Sequence, residues 1–73
     1  MDTIKVGDAV MWRGSFGRDK AAEAVVTSIE LCEYGEKYGT PVDEVDWNDL
    51  NRAVMDLDNG HWCYGDQIVR KVS

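Results

Sequence analysis

The 73 residues predict a mainly β fold, a small five-stranded barrel with an Asn-Gly hairpin and a single helical turn in a long acidic loop. Three observations point there. Residues 22–33, "AEAVVTSIELCE", form the longest run with period-two alternation and hold a β-branched stretch, Val25-Val26-Thr27, that favours strand over helix. Asn59-Gly60 stands between two runs of apolar and aromatic residues, "VMDLD" and "HWCYG", the strongest short-range hairpin signal. Two Tyr-Gly steps and the only proline, Pro41, exclude a long regular element between them.

The elements follow in order. Gly7-Asp8 marks a turn, and Ala9 to Arg13 alternates as a strand with Val10 and Trp12 on one face. "GSFGRDK" is loop chemistry. In the long strand Val25, Thr27, Ile29 and Leu31 fall on one face, and Val26, Ser28 and Glu30 on the other. Val42 and Val45 suit a brief extended piece. Asp46 suits an N-cap for one helical turn through "WNDL", which would point Trp47 and Leu50 inward. A two-residue turn at Asn59-Gly60 pairs Asp58 with His61, Leu57 with Trp62, Asp56 with Cys63 and Met55 with Tyr64. That register gathers Ala53, Met55, Leu57, Trp62 and Tyr64 on one face, and Asp56, Asp58 and His61 on the other. "YGDQI" reads as a tight turn, and "IVRKV" as a closing strand.

With "VGDAVMW" at the start, the long "AVVTSIEL" strand, the hairpin "AVMDLDNGHWCYG" and "DQIV" turning into the last strand, nearly the whole chain resembles a Src-homology-3-like small barrel. This architecture occurs in many bacterial and phage proteins of unassigned role. The resemblance implies one domain, residues 1–73, but fold alone carries little function. The proline-peptide readers of the signalling type open on an "ALYDY"-like stretch, where this chain has "AVMWRGS".

A chain this short buries about 60% of its unfolded surface, so Trp12, Trp47 and Trp62, at ~150–250 Å² each, are expected to supply much of the hydrophobic drive. The start carries no basic region followed by an apolar run, and no stretch nears the ~18 apolar residues that span a bilayer. The expected address is the cytoplasm, with no membrane contact. Cys32 and Cys63 lie in no CxxC pattern and read as reduced thiols, a disulfide being the alternative if they meet on neighbouring strands.

Charge is the second informative feature. Residues 30–49 hold seven acids (Glu30, Glu33, Glu36, Asp43, Glu44, Asp46, Asp49) against one base, Lys37, and so carry the whole net charge of −6. The other 53 residues are neutral, with seven acids and seven bases. Such a field repels phosphate backbones and attracts basic surfaces, which argues against direct nucleic-acid binding. A solvated loop kept soluble by its charges is the plainer account.

Chemistry is thinly supported. His61-x-Cys63 sets two ligand types on one strand face without the further ligands that a tetrahedral metal site needs. His61 reads instead as the cross-strand partner of Asp58. The chain has no Gly-x-Ser-x-Gly elbow, and "RGSFGRDK" lacks phosphate-loop spacing and precedes a strand. Exposed carboxylates are not desolvated as general acids require. No enzyme activity, metal or cofactor is expected. The leading expectation is a protein-interaction module that docks Glu33, Tyr34, Glu36, Tyr38, Asp43, Glu44, Asp46 and Trp47 onto a basic partner surface. A phage-type inhibitor that mimics phosphate with carboxylates is its special case. The alternatives are a ligand-free structural or assembly domain that homodimerises through strand edges and, third, nucleic-acid binding through Arg13, Arg18 and Lys20.

Overall fold

The structure, a computed structural model, describes residues 3–14, 18–32 and 39–72. They form β1 (Thr3–Lys5), β2 (Ala9–Trp12), β3 (Ala22–Leu31), β4 (Thr40–Val42), β5 (Glu44–Asp46), the 3₁₀ helix η1 (Trp47–Arg52), β6 (Ala53–Leu57), β7 (Trp62–Tyr64), the 3₁₀ helix η2 (Gly65–Gln67) and β8 (Ile68–Lys71). The fold is mainly β, as the alternation predicts. Among the described residues it has eight strands where five were expected, the additional ones being the three-residue strands β1, β4 and β5.

The strands join in the order β7-β6-β3-β2-β8, with β4 on β3, and β1 pairs separately with β5. β3 serves two half-sheets. Its first part, Ala22 to Val25, runs against β2. Its second part pairs with β6 on one edge and β4 on the other. Pro41 lies in β4, on an edge where its missing N–H is not needed for a ladder. β7 and β8 end the order and are linked by η2, not by pairing.

Ile4, Val10, Val26, Ile29, Met55 and Cys63 are the largest fully buried side chains, and Trp12 joins them at 8% exposure. The faces of β3 differ from strict alternation: Val26 and Ile29 are both buried, with Thr27 exposed between them. The register with β6 shifts between Val26 and Ser28, so a β-bulge there moves the inward phase by one residue. The expected grouping of Val25, Thr27, Ile29 and Leu31 on one face therefore fails at the bulge.

The turns use local hydrogen bonds. Between β1 and β2, Asp8 N–H donates to Lys5 C=O at 3.0 Å, and Gly7 takes φ +98°. A Cβ would strain that conformation. Asp46 caps η1 as expected, its Oδ1 accepting from Asn48 N–H at 3.0 Å. Leu50 is buried and Trp47 packs half-buried against the core. In η2, Gln67 Oε1 accepts from Tyr64 N–H at 2.9 Å while its Nε2 donates to Arg13 C=O at 2.8 Å, tying β7 to the end of β2.

The Asn-Gly hairpin is present, but its register is not the expected one. Asp56 pairs with Trp62, Met55 with Cys63 and Val54 with Tyr64. The loop is three residues, Asp58-Asn59-Gly60, not two. Gly60 N–H donates to Leu57 C=O at 3.3 Å, and Gly60, at φ +84°, brings the chain back so that Leu57 N–H reaches His61 C=O at 2.9 Å. This is a three-residue hairpin loop closed by a left-handed glycine. One residue of slip inverts every side chain of the second strand. Cys63 points in, whereas Trp62 and Tyr64 are 55% and 43% exposed. The expected core positions of Trp62 and Tyr64 are thus overturned. So is the pairing of His61 with Asp58. Asp58 bonds to β3, its N–H to Val25 C=O at 2.9 Å and its Oδ1 accepting from Val25 N–H at 3.0 Å.

Candidate functional site

Of the eight acidic-loop residues expected to bind a partner, Glu33, Tyr34, Glu36 and Tyr38 lie outside the described residues. The other four are placed but divide by task. Asp43, between β4 and β5, is exposed, and its carbonyl accepts from Val6 N–H at 3.0 Å. Glu44 is exposed on β5 opposite Lys5. Asp46 is spent on the η1 cap and Trp47 on the core. Asp49 pairs with Arg52 at 3.2 Å within η1. Asp43 and Glu44, with Glu30 on β3, therefore present the segment's described charge to solvent.

A second surface was not legible as such in the sequence. On the outer face of the half-sheet β4-β3-β6-β7, cross-strand pairing lines up Pro41, Glu30, Val54 and Tyr64 in one row. Ser28, Asp56 and Trp62 form the next. Ser28 Oγ donates to Asp56 Oδ2 at 2.7 Å, which fixes that carboxylate on the face. The Trp62 and Tyr64 rings meet edge-on, 5.2 Å between centroids at 83°. This geometry is favoured by the ring quadrupoles. Hollows flank Tyr64. One of about 370 Å³ is lined by Cys32, Asn51, Arg52 and Val54. The other, of about 450 Å³, lies between Trp62, His61, Trp12 and the loop residues Gly14, Asp19 and Lys20. The signal that could have found this surface is Asp58-Asn59-Gly60 itself, since Asp and Asn before a glycine suit the three-residue loop as well as the two-residue one.

The second hollow is bordered by His61, whose ring lies 5.8 Å from that of Trp12. Trp12 Nε1–H is buried without a hydrogen-bond partner among the described residues, an arrangement that costs about 1–3 kcal/mol. Cys32 and Cys63 are both free thiols, Cys63 wholly buried. Burial pushes the Cys63 thiol up from 9.0 to about 11, and the nearby charges of Asp66 and Asp56 add to the shift. Such a thiol is a core side chain and not a nucleophile at neutral pH. Asp8 is held below 3.8, first by the Lys5 amide, whose N–H donates to Oδ2 at 2.8 Å. Partial burial opposes this, and Lys71, at 3.2 Å, supports it. No three His, Cys, Asp or Glu side chains among the described residues are grouped to hold a metal. No helix among them is long and apolar enough to cross a membrane.

No family model matches the chain, and no curated protein or solved structure matches it either.

Proposed function

We propose that this protein is a small non-enzymatic interaction module that docks its acidic segment, residues 30–49, onto a basic protein surface. The observation that carries the proposal is the charge: the segment holds all of the net −6, and its described acids Glu30, Asp43 and Glu44 stand in solvent. Exposed charge of one sign steers encounter with the opposite sign, whereas it repels DNA and RNA. The expected address is the cytoplasm, and no cofactor is invoked. A Src-homology-3-like reading of the sheet suits this role. The long β3 shared by two half-sheets, and a one-turn helix before the closing strand, support it.

The test is a pull-down from the native host with the wild type and with the Glu33→Gln, Glu36→Gln, Asp43→Asn, Glu44→Gln variant. The variant keeps its thermal midpoint, because exposed loop charges contribute little to stability. It loses basic proteins that the wild type recovers, and the wild type loses them as salt rises. Identical recovery by both would leave the segment as a solvated surface only.

A further inference from the structure

We propose that the outer face of the half-sheet β4-β3-β6-β7 is a docking face for an extended, arginine-bearing protein segment with its basic residues at alternate positions. This rests on the basic-partner reading above and moves the contact from the loop to the sheet.

The argument starts from the aromatic pair. Among the described residues, Trp62 and Tyr64 are the large aromatic side chains left in solvent, at 55% and 43% exposure, on an edge strand. Large exposed aromatics beside Val54 are what the cores of protein interfaces use. The face is also charged. Trp62 is the direct cross-strand partner of Asp56, and Glu30 shares the row of Tyr64 with Val54 between them. Two cations border the hollows beside Tyr64: Arg52, which pairs with Asp49 at 3.2 Å, and Lys20, which shares its hollow with Asp19.

A guanidinium fits this arrangement better than other groups. It stacks on an indole face and at the same time offers a planar fork of donors to a carboxylate. Across a strand pair the side chains stand about 4.5–5.5 Å apart, so a group stacked on Trp62 lies within reach of Asp56. The two rows are two residues apart along each strand, about 6.5–7 Å, which matches the i, i+2 spacing of an extended chain. Arginines at alternate positions would therefore meet Asp56–Trp62 and Glu30–Val54–Tyr64 together.

The same charges argue against other occupants. A second copy laid face to face would oppose Glu30 and Asp56 to themselves, in a chain already at −6. Bases could stack on the rings, but the two carboxylates repel the phosphates that accompany them.

The test is a titration of the ¹⁵N-labelled protein, read at the three indole N–H signals and the backbone amides. The probe is a capped peptide of alternating arginine and glycine, with its citrulline counterpart as control. The arginine peptide is expected to shift the Trp62 indole and the amides of Tyr64, Val54 and Asp56 saturably, leaving the buried Trp12 indole in place. Trp62→Leu, and separately Asp56→Asn, should each weaken binding about three- to fivefold, the worth of an exposed cation–aromatic or ion-pair contact. Equal shifts with the citrulline peptide, or none with either, overturn the proposal. Shifts confined to Asp43, Glu44 and neighbouring loop residues overturn it while leaving the acidic-segment reading intact. Stronger shifts with oligothymidylate at physiological salt transfer the face to nucleic acid. Self-association abolished by Trp62→Leu transfers it to a second copy. Either of these last two results also overturns the proposal.

Discussion

Replacing Trp62 by Ala and Cys63 by Asp, singly, tests the hairpin register. If the loop had two residues, Trp62 would be a core side chain and its loss would cost about 3–5 kcal/mol. In the three-residue loop it is 55% exposed. Of the ~150–250 Å² that a buried tryptophan removes from water, somewhat less than half is then covered, worth about 2 kcal/mol at 25 cal/mol/Å². The unfolded chain already hides part of that area, so the expected cost is about 1–2 kcal/mol. For a domain of this size each kcal/mol moves the thermal midpoint by roughly 4–8 °C, and Trp62→Ala should fold with a midpoint about 5–15 °C lower. Cys63→Asp is the opposite case. Its side chain is 0% exposed, and the charges that act on it, Asp66 and Asp56, have the same sign as a carboxylate. Burying it costs several kcal/mol, a large share of the ~4–11 kcal/mol expected for 73 residues. Circular dichroism melts of both variants decide. A Trp62→Ala protein that is unfolded, beside a Cys63→Asp protein that melts like the wild type, would refute the register.

Four further outcomes follow from particular contacts. Gly60→Val should destabilise strongly in a urea melt, because a β-branched residue at φ +84° is a genuine outlier. Gly65→Ala should cost about 1–3 kcal/mol by the same assay, since its Cβ would press on the backbone of Leu50, 2.8 Å from the carbonyl carbon, and force η1 and η2 apart. Cys63 ionises at about 11 in the folded chain against 9.0 unfolded. Its contribution to stability is therefore whole below pH 9 and lost as pH rises from there to about 11, and alkylation at pH 8 should label Cys63 only after denaturant is added. Asp8 is held below 3.8. It therefore stabilises the fold above that pH and less as pH falls through its lowered value, and Asp8→Asn should flatten that acid limb of the stability curve.

The strand pattern was legible where a long signal had a single reading. β2 with Val10 and Trp12 inward, the length of β3, the Asp46 cap and the short turn before the last strand all follow from local rules. What the pattern did not carry depends on single residues. A bulge at Thr27 has no sequence mark in "VVTSI", yet it swaps the inward phase of β3. β1 is too short for periodicity to register, and the brief extended piece expected at Val42 and Val45 is divided between β4 and β5, each with its own partner strand. The candidate site suffered most. Asp46 and Trp47 are acidic-segment residues by charge counting, but the fold spends them on a cap and on the core. Trp62 and Tyr64, assigned inward by the two-residue loop, are the exposed pair.

The slip of the hairpin has a physical cause, and it joins the fold to the proposed function. Burying two large rings instead of one cysteine would remove more apolar area from water, so area alone favours the two-residue loop. Two effects oppose it. The interior already holds Trp12 together with Met55, Ile29 and Ile4, and two more rings in a 73-residue fold would overpack it. The three-residue loop also satisfies its own backbone. Asn59 Oδ1 accepts from His61 N–H at 3.0 Å, and the Asp58 carboxylate accepts from Val25 N–H on β3 at 3.0 Å. Each such bond contributes on the order of 1 kcal/mol, somewhat more where the acceptor is charged. The loop therefore selects which rings the core can hold, and the two it leaves outside stand beside Asp56 and Glu30 on the face proposed to meet a cationic partner.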